Sequence, residues 1–80
     1  MNFVFTGTGY LNGVHVKRDL LVDMLNSRGH SMGKSVTFST NYLVFGDDAP
    51  STVKRRKAES LGITEIPYSE FFDLMKNGGA

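Results

Sequence analysis

Lys54, Arg55, Arg56 and Lys57 stand in a row and place +4 on a chain whose net charge is only +1, so the remaining residues sum to −3. The basicity is local. The run follows Pro50, Ser51 and Thr52, residues that open helices, and a helix is expected from there to about Leu61. A helix N-terminus carries positive partial charge and favours Asp or Glu. Cations there cost stability unless an anion sits nearby. A solvated basic face is the plainer reading of such a run, but helical spacing divides it. Lys54, Lys57, Ala58 and Leu61 stand at i, i+3, i+4 and i+7 and share one face. Ala58 and Leu61 should meet a sheet, so Lys54 and Lys57 emerge at its rim, toward the strand ends. Arg55 and Arg56 point elsewhere and are read as solvated.

Arg18 repeats the arrangement, sharing a face with Leu21, Val22 and Leu25 near the start of another expected helix. Thr6 closes the apolar run Phe3-Val4-Phe5, and Gly7 follows it. In a parallel sheet the strand C-termini and helix N-termini lie on one edge. Thr6, Gly7, Arg18, Lys54 and Lys57 would then converge there on one anion, most simply a phosphate. Thr6 brings a hydroxyl, Gly7 an unshielded N–H, and the others positive charge. Thr8 and Lys17 are candidates for further contacts.

Other chemistry is poorly supported. Gly7-Thr8-Gly9-Tyr10-Leu11-Asn12-Gly13 is glycine-rich after a strand, yet no acidic residue ends the next strand to hold a ribose. It reads as a turn. His15 and His30 lack a convincing third ligand, so no metal site is expected. There is no cysteine, which excludes disulfides, thiolate metal sites and thiol catalysis. No nucleophile–base–acid set is spaced for catalysis. Asp47-Asp48 reads as a solvated loop, and Phe71, Phe72 and Met75 as core.

The elements that must carry these residues follow from periodicity. Strands are expected at Asn2–Thr6, weakly at 35–38, at Tyr42–Phe45 and at 63–66. Helices are expected at 17–28, with Leu20, Leu21, Met24 and Leu25 as the apolar stripe; from Pro50 to Leu61; and after a Ser69 cap. Residues 10–16 read as a loop with an Asn12-Gly13 turn. Continuous apolar strands alternating with helices imply a mostly parallel α/β sheet covered on both faces. With 80 residues, 40% of them apolar and 21% charged, the chain is globular and not a disordered tail. Residues 1–80 are expected to form a single domain with its core at about 2–76 and a frayed tail at 77–80. The opening Met suggests a free-standing domain. The apolar runs are too short for a membrane span or secretory signal, which makes the cytoplasm the default location.

Several segments resemble a BRCT domain. They are Phe3-Val4-Phe5-Thr6-Gly7-Thr8, Arg18-Asp19, Gly29, Ser35-Val36, Thr40-Asn41-Tyr42-Leu43-Val44-Phe45-Gly46, Lys57-Ala58-Glu59-Ser60-Leu61-Gly62-Ile63, and Phe71-Phe72. They occur in the family's order from Phe3 to Met75. The likeness is to the BRCT domains of bacterial NAD-dependent DNA ligases and of the large subunit of replication factor C. It implies a four-stranded parallel sheet flanked by three helices, two on one face and one on the other. In the replication factor C domain a strand-end Thr, an Arg opening the first helix and two Lys of the second helix bind a 5′ phosphate of DNA. The matching positions are Thr6, Arg18, Lys54 and Lys57, with Gly7 matching a backbone donor that phosphopeptide-binding relatives use. The sequence departs from the ligase pattern in a longer segment between Gly7 and Arg18, a longer loop before the second helix, and His30 where a second glycine is usual. The tryptophan common in the last helix of many BRCT domains is absent, with Phe72 near its place.

Three functions are therefore weighed, none of them enzymatic and none needing a cofactor. The first is a DNA-binding module for a 5′-phosphorylated end or nick, in replication or repair and so at the nucleoid or in the nucleus when bound. The second is a module that reads a phosphopeptide on a replication or repair protein. The third is phosphate-independent docking or homodimerisation through a helix face.

Overall fold

A computed structural model describes residues 1–46 and 53–77. The elements are β1 (Asn2–Thr6), β2 (Tyr10–Leu11), β3 (Val14–His15), α1 (Arg18–Asn26), β4 (Ser31–Gly33), β5 (Tyr42–Phe45), α2 (Val53–Leu61), β6 (Thr64–Pro67) and α3 (Tyr68–Lys76). Four strands form one parallel sheet in the order β4-β1-β5-β6, and β2 and β3 form a separate antiparallel hairpin.

Successive strand residues point to opposite faces, and this divides the apolar run of β1 between two cores. Phe3 and Phe5 join Val44 and Ile66 against Leu21 and Leu25 of α1 and Phe71, Phe72 and Met75 of α3. Val4 joins Leu43, Val36 and Ala58 of α2, with Leu61 and Ile63 packed alongside. So α1 and α3 cover one face and α2 the other. This is the expected α/β architecture. Phe71 binds the first core together, with its ring edge-on to Phe3 at 5.5 Å and to Phe5 at 5.0 Å. Such pairs add about 0.5–1.5 kcal/mol beyond buried area.

Four local expectations are corrected. The strand expected at 35–38 lies instead at Ser31–Gly33, paired Asn2 to Ser31 and Phe3 to Met32. A Cβ on Gly33 would stand 3.3 Å from Val4 Cγ2, so a residue without a side chain suits this crowded edge position. Val36 is buried because it fills the second core from a loop, while Phe38 is 93% exposed. Residues 10–16, expected as a loop, contain the hairpin. Asn12 and Gly13 have φ of 54° and 79°, and positive φ at both central residues is the turn whose twist suits two paired strands. Pro67, not Ser69, holds the N-cap position of α3, and Ser69 lies in its first turn. Leu20 is 49% exposed, because the buried stripe of α1 runs through Leu21 and Leu25. The expected opening of α2 at Pro50, Ser51 or Thr52, the Asp47-Asp48 loop and the tail at 78–80 lie outside the described residues. Among the described residues no helix is long and apolar enough to cross a membrane.

The hairpin is seated on the domain at Gly9. Its base is closed by the Val16 N–H donating to the Gly9 carbonyl at 2.9 Å. Gly9 is buried against the Tyr68 ring, and a Cβ there would overlap that ring. Tyr68 cannot easily retreat, because Phe5 and Phe72 stand behind it at 5.7 and 6.0 Å. Gly9→Ala is therefore expected to destabilise the domain by about 1–3 kcal/mol through overpacking, seen as a lower urea midpoint at unchanged slope. An unchanged midpoint would show that the hairpin base is not pinned to Tyr68.

Candidate functional site

Strand order fixes where a ligand can bind. The chain leaves the carboxyl end of β1, crosses through α1 to β4 on one side, and returns to β5 on the other. In open parallel sheets the crevice outside the strand ends at such a reversal is the usual ligand position. A pocket of about 340 Å³ opens there, lined among others by Thr6 at the end of β1, Gly7 after it, His15 of β3, Arg18 of α1, Lys54 of α2 and Tyr68 of α3.

Each of these groups is held by backbone or packing. The Thr6 carbonyl accepts the Gly46 N–H at 2.9 Å, which carries the β1–β5 ladder to the pocket's edge. Gly7 then turns the chain out of the sheet with φ of 79°, a conformation glycine adopts at little cost. Its carbonyl accepts the Tyr68 hydroxyl at 3.3 Å, which fixes the peptide after Gly7. Lys54 is half-buried, and its Nζ donates to the Phe5 carbonyl at 3.0 Å. An ammonium carries three donors, so this bond ties the first turn of α2 to the end of β1 and leaves donors for a second partner. Arg18 opens α1, and one guanidinium nitrogen donates to the Met32 sulfur at 3.4 Å, a weak acceptor.

The charged side chains that line the pocket, Arg18 and Lys54, are both cationic, while Asp19 in the first turn of α1 is not among the lining residues. No carboxylate lines the pocket among the described residues, and α2 has no acidic residue in its first turn. Helices α1 and α2 approach from opposite faces of the sheet and both present first-turn residues here. Hydroxyl, backbone N–H, guanidinium and ammonium groups around one hollow suit an anion with several oxygens.

Of the residues expected to converge, Thr6, Gly7, Arg18 and Lys54 line this pocket, and so does Thr8. Lys57 and Lys17 are exposed and are not among the lining residues. Lys57 shares the face of Lys54 but lies one turn further along α2, a rise of about 5 Å. Sequence reasoning missed Tyr68, which no local pattern marks. His15, expected not to bind a metal but, with Tyr10 and Lys17, to bring contacts from the longer segment before Arg18, lines the pocket as well. Arg55 was expected to be solvated and is not. Its Nε donates to Glu65 Oε1 of β6 at 2.9 Å, its guanidinium lies 4.1 Å from the centre of the Phe45 ring, and its side chain is 25% exposed. The flank of α2 that carries Arg55 leans over β5 and β6, a placement helical periodicity alone does not reveal.

The chain is 34% identical over 80 residues to a DNA ligase of Ruminiclostridium cellulolyticum. It is 40% identical over 77 residues to one of Hydrogenobaculum sp. and 37% identical over 79 residues to one of Trichlorobacter lovleyi. These alignments cover 98%, 96% and 99% of this chain but 11%, 10% and 11% of the relatives. The chain thus spans about a tenth of the length of the curated relatives it matches. No protein-family model matches it. An alignment to one short segment of DNA ligases, joined to the β4-β1-β5-β6 parallel sheet with two helices on one face and one on the other, decides the family.

The chain is a BRCT domain. Within this BRCT domain the basic run of α2 separates by role: Lys54 lines the pocket, Arg55 clamps the helix to the sheet, and Arg56 and Lys57 face solvent. Arg55→Ala is expected to lower stability by about 1 kcal/mol, through the lost ion pair and ring contact. Arg56→Ala should stay within about 0.5 kcal/mol of the parent. Urea unfolding of both variants checks this, and equal midpoints would remove the structural role of Arg55.

Proposed function

We propose that this BRCT domain binds DNA at a 5′-phosphorylated end or nick and acts in replication or repair as a non-enzymatic module that recruits or tethers a partner. The observation that carries the reading is the meeting of Thr6, Gly7, Arg18 and Lys54 around one pocket whose lining, among the described residues, holds no carboxylate. The likeness to segments of DNA ligases supports DNA as the polymer bearing the phosphate.

A terminal phosphate differs from a phosphodiester in its extra ionisable oxygen, which gives it more charge and one more acceptor. The Thr6 hydroxyl and Gly7 N–H donate to its oxygens, and Arg18 and Lys54 neutralise it. Hydrogen bonds to charged groups are stronger than neutral ones, so the preference for a phosphorylated end arises here. Thr8 lies at the pocket's margin as a further donor. Lys17 and Lys57, outside the pocket, meet neighbouring phosphates along the strand. Such contacts set affinity and orientation without reading sequence.

Anisotropy titrations with a duplex carrying a 5′ phosphate, and the same duplex carrying a 5′ hydroxyl, test this at two salt concentrations. The phosphorylated duplex should bind more tightly, and Thr6→Ala and Lys54→Ala should each reduce that preference about tenfold. Lys57→Ala should weaken both ends alike and lower the salt slope by about one counterion. Equal binding to both ends contradicts the proposal, and binding only to a phosphoserine or phosphothreonine peptide would reassign the pocket to a protein ligand.

A further inference from the structure

A second hollow of about 250 Å³ lies on the same sheet edge, and Thr8 and Tyr68 line both. Its chemistry differs from that of the phosphate pocket. Tyr10 of β2, Phe45 at the end of β5, Pro67 and Tyr68 supply three aromatic rings and a proline, and among the described residues no charged side chain lines it. Ser69 and Gly46 add polar atoms at its edge.

The hairpin joins the two hollows. Tyr10 and His15 stand directly opposite each other across β2 and β3. Their rings meet at 61° with centroids 5.9 Å apart. His15 lines the phosphate pocket and Tyr10 lines its neighbour. Tyr10 is 60% exposed, so most of its surface remains available to a ligand.

We propose that the hollow walled by Tyr10, Phe45, Pro67 and Tyr68 receives the base of the 5′-terminal nucleotide, with Tyr10 as its stacking platform. The domain then prefers a phosphorylated 5′ end whose last nucleotide is unpaired. This rests on the phosphate-end reading of the adjoining pocket and deepens it. A phosphate held by Thr6, Gly7, Arg18 and Lys54 brings its own nucleoside with it, and the shared Thr8 and Tyr68 set the second hollow directly beside the first. Every nucleotide presents a π-face, which any aromatic wall can stack against. Its edge atoms can be met by the Thr8 and Ser69 hydroxyls. A phosphorylated peptide residue carries no obligatory ring beside its phosphate, so an aromatic neighbour pocket suits the nucleotide better. A base already out of the duplex enters without the cost of unstacking and unpairing.

The test is anisotropy with duplexes ending in a 5′ phosphate or 5′ hydroxyl, the terminal nucleotide being paired, mismatched or abasic. The phosphorylated mismatched end should bind about tenfold more tightly than the phosphorylated abasic end, and more tightly than the paired end. In Tyr10→Ala the mismatched and abasic ends should bind alike, while Tyr10→Phe, which keeps the ring, should keep the difference. If the parent prefers phosphate yet binds mismatched and abasic ends equally, the base subsite is overturned and the phosphate site stands. If the parent shows no phosphate preference, both fall. A Tyr10 dependence seen with a phosphopeptide and not with DNA would overturn the nucleobase assignment.

Discussion

Strand β1 occupies the interior of the sheet with both faces buried, so the chain must leave it toward one neighbour and later return to the other. That constraint opens the crevice at its carboxyl end, and the rest of the site follows from it. Thr6 and Gly7 are there by chain continuity. Arg18 is there because α1 is the first crossover and starts beside the strand end. Lys54 arrives from the opposite face, because α2 carries the crossover from β5 to β6. The bond from Lys54 to the Phe5 carbonyl then makes the end of β1 the meeting point of the two layers. Groups anchored in this way lose little freedom when a ligand arrives, which favours binding.

Tyr68 is the pillar of the arrangement. Its ring is wedged between Gly9, Phe5 and Phe72, and its hydroxyl holds the Gly7 carbonyl. One side chain thereby sets both the peptide after Gly7 and the seat of the hairpin. Arg55 does a related job on the other face, fastening α2 to β6 through Glu65 and resting on Phe45. The apparent excess of charge at the start of α2 is thus partly structural. Arg55 spends its charge on the fold, and Lys54 faces the pocket.

Much of this was legible in the chain. The buried strands β1 and β5 announce themselves as unbroken apolar runs, and α1 and α3 as stripes of helical period. Periodicity joined to the parallel-sheet rule was enough to draw Thr6, Gly7, Arg18 and Lys54 toward one edge. It gave Lys57 the same standing, because a shared helix face says nothing about distance along the axis. Strand β4 was misplaced because Ser-Met-Gly lacks the branched residues that mark strands; Val36 nearby owes its apolar character to the core. The hairpin strands are two residues each and carry no period, so only their Asn12-Gly13 turn could be read. Tyr68 and the Arg55–Glu65 pair depend on which strands become neighbours, which is information held by the tertiary fold.

The proposed phosphate receptor stands or falls on whether Thr6, Gly7, Arg18 and Lys54 act together. The most direct measurement is a backbone amide NMR titration with one hairpin DNA, prepared with a 5′ phosphate and with a 5′ hydroxyl. The Gly7 amide, followed by Thr6, Thr8 and Arg18, should shift with the phosphorylated DNA and much less with the hydroxyl form. Identical shifts with both forms, or shifts confined to the exposed face carrying Arg56 and Lys57, would contradict it.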